Sequence, residues 1–410
     1  MRLVIVILGL TACVWAAWNS GREGLSEVFF TYAATSNQLD AADQAVRLSP
    51  SNADAHYVRA GLLAKADQWS EATKEYERAS SFRPDDYVLW LELGRARDRE
   101  SDIDGALAAF AESTRHAQFY AKPHWLLGNL LFRIGRRDEA LVELRIAAAS
   151  DPKLLPQAVA LAWAAFGGNA SAVEEAIQPR TPSSRLALAR FLAAHGRAVE
   201  ALGLFRTTSG ASAEDRHSLL AALLAGKHFR EAFEVWSAID GRLLQSGAIT
   251  DGSFESAIDL NEQGFGWRIG RDLRASRVSL DTDKPYDGSY SLRIDWSGES
   301  DPSTAVISQL VLVEPKTRYR LSFAARTQEL LTVGLPFVMV VDGGDEKTAA
   351  LMKSKTLPQG TSGWQDYVTE FTTPETTQAV RIGIRRETCA TPQCAVFGHV
   401  WFDKFSLERL

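Results

Sequence analysis

Prolines recur through the first half of the chain at one fixed interval. Pro50 and Pro84 are 34 residues apart, and Pro152 follows after a further 68, which is twice that interval. Periods of roughly 20–50 residues are typical of solenoids, whose stacked units bury a core that no single unit could bury alone. A proline at the end of a unit cannot continue the helix, so it separates one unit from the next. The period therefore predicts an α-solenoid built from helix pairs.

The units between these prolines share further residues at equivalent places. Residues 53–86 have small or aromatic residues and a proline at Ala60, Ala72, Tyr76, Ala79 and Pro84. The next two units have matching residues at Trp90, Leu93, Gly94, Ala106 and Phe110, and at Leu127, Gly128, Leu131, Ala140, Leu144, Ala147 and Pro152. Small residues let paired helices approach, and the bulky residue fills the gap between them. Over residues 36–240, degenerate units included, the chain resembles the tetratricopeptide repeat family. The resemblance implies a right-handed superhelix whose concave groove holds a protein or peptide.

The repeat register predicts which residues line that groove, because the first helix of each pair faces inward in such a superhelix. The predicted groove residues are Tyr57, Leu91, Trp125, Asn129, Phe132 and Arg133. Together they offer aromatic and polar groups, which suit an extended peptide. The alternative is that Tyr57 and Trp125 pack against neighbouring helices, since aromatic residues at helical spacing are often core residues. The histidines of this region have no metal-ligand spacing such as H-E-x-x-H.

An uninterrupted apolar run, residues 3–18, follows Arg2 at the amino terminus. Residues 1–20 are therefore predicted to be a signal anchor or a cleaved signal peptide. The sequence of residues 10–13 also resembles the bacterial lipobox, so a lipoprotein attached through Cys13 is a third alternative. All three predict that the rest of the chain is exported, and a membrane-anchored form would face the periplasm or the cell exterior.

Beyond residue 240 the helical pattern gives way to short alternating segments. Residues 290–294, 319–323 and 380–384 alternate between apolar and polar side chains, which predicts strands, and clusters of Gly, Pro, Asp and Ser separate them. Helices and strands are segregated along the chain, which excludes a doubly wound α/β fold. We predict a multidomain α-then-β chain with a membrane segment, a solenoid at 36–240, a linker at 241–248 and an antiparallel jelly-roll sandwich at 249–410.

Seven short motifs follow one another in this second half. They begin with Asp-Gly-Ser-Phe-Glu at 251–255 and end with Val-Trp-Phe-Asp at 400–403. Their order resembles that of carbohydrate-binding modules of the CenC type, which have a galactose-binding-like jelly roll. The resemblance implies glycan binding and a structural calcium ion held partly by Glu255 and Asp403. The alternative for these two carboxylates is that they accept hydrogen bonds from turn amides.

Alternation within the strands predicts four outward-facing basic residues. They are Arg320, Arg326, Arg381 and Arg385. No aromatic residue shares the outward side of residues 319–326. If all four arginines lie on one concave sheet, the groove is basic rather than aromatic, which favours an acidic glycan. The alternative is that they form two solvated surfaces.

Cys389 and Cys394 enclose a Pro-containing turn and are predicted to form a disulfide, which an exported location permits. The net charge of −6 and the lack of a long Lys/Arg run disfavour nucleic acid as a partner. The β half contains a single histidine, His399, and no Gly-x-Ser-x-Gly, so we predict that the protein is not an enzyme.

These features predict a non-catalytic envelope adaptor that requires no cofactor other than the implied calcium. It would bind an envelope protein or peptide through the solenoid and a polysaccharide through the jelly roll. Surface or exopolysaccharide assembly or export is the predicted setting. The alternative is a purely structural protein-binding scaffold, or a lipoprotein, that binds no sugar.

Overall fold

The computed structural model describes residues 2–240, 247–270, 273, 275–302, 304–344, 350–389 and 394–410. A helical region is followed by an antiparallel β-sandwich, which confirms this part of the predicted fold class. Internal contacts divide the chain into two compact units, Met1–Gln178 and Pro179–Leu410. Residues 241–246 of the predicted linker lie outside the described residues.

The first unit contains ten α-helices in its described residues. They are α1 (Arg2–Ser36), α2 (Leu39–Leu48), α3 (Ala53–Lys65), α4 (Trp69–Phe82), α5 (Tyr87–Arg99), α6 (Ile103–His116), α7 (Ala121–Arg133), α8 (Arg137–Ser150), α9 (Leu155–Ala165) and α10 (Ala170–Ile177). Glycine is required where paired helices meet. A Cβ on Gly94 would lie 2.6 Å from the Phe110 ring, and one on Gly128 would lie 2.9 Å from Leu144. The repeated small residues therefore act as the sequence predicts.

A repeated hydrogen bond stabilises the start of three helix pairs. His56, Trp90 and His124 occupy the same repeat position, and each directs a ring nitrogen to the carbonyl six residues earlier. The acceptors are Pro50, Pro84 and Gln118, at 2.9, 2.7 and 3.1 Å. His56 and His124 are thus equivalent residues of the repeat.

The histidine repeats add a carboxylate to this joint, which is buried at Glu75 and half-buried at Glu143. Nδ1 of His56 lies 2.5 Å from Glu75, and Nδ1 of His124 lies 2.5 Å from Glu143. The middle repeat has Ala109 at the corresponding place, opposite a tryptophan that has no second ring nitrogen to satisfy. The residue that carries the ring and the residue opposite it therefore change together from one repeat to the next.

Helix α1 continues from the apolar run into the solenoid. Ser26 donates to the carbonyl of Ala45 at 2.9 Å, and Ala33 is fully buried in a cluster with residues of α2 and α3. Among the described residues, no helix has the length and apolar character needed to cross a membrane. The membrane segment predicted for residues 1–20 is therefore not supported.

The second unit begins with four helices and ends with ten strands in its described residues. The helices are α11 (Pro182–Ala194), α12 (Ala198–Arg206), α13 (Ala213–Ala225) and α14 (Phe229–Asp240). The strands are β1 (Trp267–Ile269), β2 (Ser276–Asp281), β3 (Ser291–Glu299), β4 (Ile307–Leu312), β5 (Arg318–Thr332), β6 (Pro336–Asp342), β7 (Met352–Lys353), β8 (Gly360–Thr372), β9 (Ala379–Arg386) and β10 (Ala395–Arg409). Sheet I has the order β1-β4-β9-β6-β7, and sheet II has the order β2-β3-β10-β5-β8.

The sandwich core lies between the two sheets. Alternate residues of β3 face it, so that Leu292, Ile294 and Trp296 are buried, as are Phe323 of β5 and Phe402 of β10. The alternation of polar and apolar residues in the sequence therefore predicts the inward side of these strands correctly.

Helix α14 packs directly on the sandwich. The rings of Phe233 and Trp236 lie 5.1 and 5.6 Å from the ring of Phe265, and Arg230 forms an ion pair with Glu314 at 2.9 Å. The last helices and the sandwich thus belong to the same compact unit.

Candidate glycan-binding face and solenoid groove

The outer side of sheet II brings together side chains from separate strands. Arg293 on β3 and Arg326 on β5 both lie directly across from Trp401 on β10, which is the central strand. The guanidinium of Arg326 is 3.8 Å from the centre of the Trp401 ring, and that of Arg293 is 5.1 Å away. Trp364 of edge strand β8 lies 5.5 Å from Arg326. We call Arg293, Trp401, Arg326 and Trp364 the aromatic–arginine row.

Asp281 fixes the indole of this row. Its Oδ2 accepts hydrogen bonds from Trp401 Nε1 at 2.8 Å and from Arg293 at 3.2 Å, and its Oδ1 accepts one from the Asp283 amide at 2.9 Å. Burial raises the pKa of Asp281, but these hydrogen bonds and the charge of Arg293 outweigh burial and lower it below its ordinary value. Asp281 is therefore a stable anion at neutral pH, which suits it to hold both neighbours.

His399 lies beside the row on β10. Its Nδ1 is 2.5 Å from Asp295, which also accepts a hydrogen bond from Arg293 Nε at 2.7 Å. A carboxylate at Nδ1 favours the tautomer with hydrogen on that nitrogen, which leaves Nε2 as an acceptor. The side chain is 33% exposed, so the imidazole is accessible at this surface.

A loop of residues 282–290, called the border loop, runs along the row. Trp364 Nε1 donates to the carbonyl of Lys284 at 2.9 Å, and the hydroxyl of Tyr286 donates to Asp366 at 2.8 Å. The Tyr286 and Trp364 rings meet edge to face, with their centres 5.6 Å apart. The loop therefore adds an exposed aromatic ring to the same surface.

The two carboxylates predicted to bind calcium hold this loop. Asp403 accepts from the amides of Tyr286 and Asp287 at 2.8 and 3.0 Å, and Glu255 accepts from those of Ser289 and Tyr290 at 2.8 and 3.0 Å. Within the described ranges, no three His, Cys, Asp or Glu side chains meet in a way that could hold a metal ion. These contacts match the alternative in which the two carboxylates accept hydrogen bonds from turn amides. Calcium binding stays a prediction.

The four predicted arginines do not share one sheet. Arg320 and Arg326 lie on sheet II, whereas Arg381 and Arg385 belong to β9 of sheet I. The prediction of a single basic groove is therefore wrong, because strand pairing places β5 and β9 in different sheets. The two on sheet II also have acidic partners. Arg320 lies 3.0 Å from the carboxylate of Glu370, and Arg326 lies 3.5 Å from that of Asp283.

Sequence reasoning missed the aromatic residues of this surface. It examined the outward sides of β5 and β9, whereas Trp401 and Trp364 come from the two neighbours of β5 in sheet II. A local signal for Trp401 does exist. It alternates with Val400 and Phe402, which both face the core.

In the solenoid, the predicted groove residues differ in exposure. Leu91 is 2% exposed inside a core cluster, so it belongs to the core and not to the groove. Tyr57 stacks obliquely on Tyr76, with the ring centres 6.0 Å apart. The other four follow α7, where Trp125, Asn129 and Phe132 are half-buried and Arg133 is exposed and paired with Asp98. These five stay predicted groove residues.

Cys389 and Cys394 are joined by a disulfide, with their Cα atoms 5.6 Å apart, and the intervening residues 390–393 lie outside the described residues. The buried guanidinium of Arg386 donates to the carbonyl of Cys394 at 2.9 Å, next to this bond. Cys13 is an exposed free thiol.

Residues 246–391 match the model of a family described as a carbohydrate-binding domain. The resemblance seen in the sequence is confirmed. A solved structure entitled "CBM4 structure and function" is similar to the chain, with 16% identity over 40% of this chain and 99% of that one and a TM-score of 0.31. No curated protein matches the sequence.

The helical region has tetratricopeptide-like neighbours among solved structures. One is YrrB, described as a TPR protein with an unusual peptide-binding site. It shares 17% identity over 38% of this chain and 84% of that one, with a TM-score of 0.32. Another is MamA from Desulfovibrio magneticus RS-1, with 14% identity over 38% and 89% of the two chains and a TM-score of 0.33.

Proposed function

We propose that this protein is a non-catalytic adaptor that binds a glycan on the outer side of sheet II and a protein or peptide through its solenoid. The aromatic–arginine row carries the first half of the proposal. Aromatic rings stack on the apolar C–H faces of sugars, and carboxylates, guanidinium groups and an imidazole acceptor bind hydroxyls. The row, His399 and the border loop offer both kinds of group on one surface.

The charges of this surface favour an uncharged glycan. Arg293 is bound to Asp281 and Asp295, and Arg326 is bound to Asp283. Because its arginines have carboxylate partners, the surface has little net attraction for a polyanion. We therefore propose a neutral glycan as the ligand, and not the acidic glycan that the sequence favours.

A glycan array probed with the full chain tests this function. We expect neutral oligosaccharides to bind, and we expect Trp364→Ala to weaken binding by about two- to tenfold, the loss typical of a stacking contact. Phe119→Ala is the matched control, because Phe119 is an exposed aromatic residue of the solenoid. Equal losses in the two variants, or a wild-type chain that binds no glycan, would favour the purely structural scaffold.

The solenoid proposal rests on the half-buried residues of α7. We expect Trp125→Ala combined with Arg133→Ala to weaken a peptide selected by display against the full chain, and to leave the helical circular dichroism unchanged. A large loss of helical signal would instead assign Trp125 to the core.

We also propose export to the cell envelope, where a glycan-binding adaptor could serve surface or exopolysaccharide assembly. The Cys389–Cys394 bond supports this location, because disulfides persist in oxidising compartments. A reporter fused after residue 240 should be active only outside the cytoplasm, and cytoplasmic activity would overturn the proposal.

A further inference from the structure

Trp401 lies on the outer side of sheet II but is only 2% exposed. Two guanidinium groups from the flanking strands lie over its ring, that of Arg326 at 3.8 Å from the ring centre and that of Arg293 at 5.1 Å. A sugar can stack on an indole only where one ring face is bare. The central aromatic residue of the row therefore cannot stack on a ligand in this conformation.

The two covering arginines are held very differently. Arg293 is bound by two carboxylates, those of Asp281 and Asp295. Arg326 donates from one nitrogen to the carbonyl of Asp283 at 2.6 Å, and the carboxylate of that residue is 3.5 Å away and 63% exposed. Arg326 thus has one ion pair, at 3.5 Å, whereas Arg293 has two, at 3.2 and 2.7 Å. The guanidinium of Arg326 is otherwise held by the Asp283 carbonyl and by the rings of Trp401 and Trp364.

The Nε–H of Arg326 is also buried, and it has no hydrogen-bond partner within the part of the chain that the structure describes. An unsatisfied buried donor is destabilising, and it gains a partner when the side chain moves into solvent. The Arg326 side chain can thus move away from the Trp401 ring, whereas Arg293 keeps its carboxylate partners and stays against the ring.

We propose that Arg326 is a gate over Trp401. A sugar ring displaces its guanidinium and stacks on the indole, which Arg293 and Asp281 hold in place. This inference rests on the proposed glycan function and adds a selectivity step to it. A ligand must stack on the indole better than a guanidinium does, so weakly stacking molecules are rejected.

The first test measures the accessibility of Trp401 in the full chain. Acrylamide quenching of tryptophan fluorescence should increase in Arg326→Ala relative to wild type. The chain contains 11 tryptophans, and Arg326 also lies 5.5 Å from the Trp364 ring, so the same comparison in a Trp401→Phe background assigns the signal. The increase should be clearly smaller there, since only the part due to Trp364 is left. No increase in Arg326→Ala would overturn the proposed cover.

The second test measures binding to barley β-glucan, an uncharged polysaccharide, by affinity electrophoresis. Arg326→Ala should bind as well as wild type or up to about tenfold more tightly, because the ligand no longer competes with a cation–π contact. Arg293→Ala is the matched control, because Arg293 contacts the same ring from the strand on the other side of β10. It should bind about tenfold or more weakly, because the indole loses its support.

The outcomes separate the gate from the function on which it rests. If wild type binds but Arg326→Ala loses binding, Arg326 is a ligand contact and the gate is overturned. If neither wild type nor Arg326→Ala binds β-glucan or any glycan of the array, the proposed function fails. If the alanine variant folds poorly, Arg326→Gln should repeat the result, because its polar side chain is shorter than that of arginine and uncharged, so it cannot cover the ring in the same way.

Discussion

Glu75 in the solenoid and Asp403 in the sandwich are both buried carboxylates, but their surroundings shift their pKa values in opposite directions. Burial raises the pKa of Glu75, but the hydrogen bond from His56 and the charges of Arg59, His56 and Arg78 outweigh it, so the pKa is lowered. Burial also raises the pKa of Asp403, and hydrogen bonds from three backbone amides do not compensate for it.

The difference shows two ways of using a buried charge. In the solenoid the partners of Glu75 are side chains, and His56 lies 19 residues away in the same repeat. In the sandwich Asp403 binds backbone amides of the border loop, more than a hundred residues away in sequence. The first carboxylate stabilises a repeat, whereas the second positions a loop beside the candidate glycan surface.

Removing the solenoid carboxylate should have the largest effect. Glu75→Ala leaves His56 and Arg59 without their buried acceptor, so we expect the free energy of unfolding to fall by about 3–4 kcal/mol in urea denaturation. Glu139→Ala, which removes only an exposed pair with Arg136, should cause no measurable change. Similar values for both variants would contradict the role given to Glu75.

Removing the sandwich carboxylate should reduce the free energy of unfolding by a smaller amount, but it should also weaken glycan binding. Asp403→Ala leaves the amides of Tyr286 and Asp287 unsatisfied, so we expect a loss of about 2–3 kcal/mol together with weaker glycan binding. Asp366→Ala, which removes only the bond from the Tyr286 hydroxyl, is the control and should change stability little. A stability loss without any change in binding would show that the border loop does not serve the surface.

The disulfide of the sandwich should matter less still. Replacing Cys389 and Cys394 by serine opens a short loop, so we expect a loss of no more than about 2 kcal/mol in non-reducing denaturation. Cys13→Ser should change nothing, because that thiol is exposed and free. Recovery of Cys389 and Cys394 as alkylatable thiols, from wild-type protein made in an oxidising compartment, would count against the bond.

The smallest effect, and the most direct test of the comparison, is the pH dependence of stability. The folded pKa of Glu75 lies below its ordinary value of 4.5, so its contribution is present above that value and is lost as the pH falls through the folded pKa. Relative to Glu75→Gln, wild type should therefore lose stability on acidification.

Asp403 should show the opposite sign. Its folded pKa lies above its ordinary value of 3.8, so its contribution is present below that value and is lost as the pH rises through the folded pKa. Relative to Asp403→Asn, wild type should gain stability on acidification. Slopes of the same sign in the two comparisons, measured by thermal melting between pH 7 and about 4, would refute the assignment.

Local patterns explain the correct predictions. The 34-residue period predicts that Gly94 and Gly128 meet bulky partners, because small residues are needed wherever the repeat brings two helices together. The alternation of β3 predicts the core residues Leu292, Ile294 and Trp296, because successive side chains of a strand point to opposite faces. Each of these inferences needs only neighbours along the chain.

The candidate surface could not be predicted in this way. Arg326 and Arg381 both alternate with core residues, and nothing within either strand reveals that they belong to different sheets. The contact between Trp401 and its two arginines could not be predicted for the same reason, because β10 lies between β3 and β5, which are far away in sequence.

The sequence by itself determined the solenoid period, the inward faces of the strands and the kinds of domain present, because these depend on periodicity and ordered motifs. Only the tertiary structure decided that Arg326 covers Trp401, that Asp403 holds the border loop and that Leu91 is core. The physical reason is that strand pairing and helix packing are long-range contacts. Many residues bury apolar surface together to fix them, and no local pattern encodes which side chains then become neighbours.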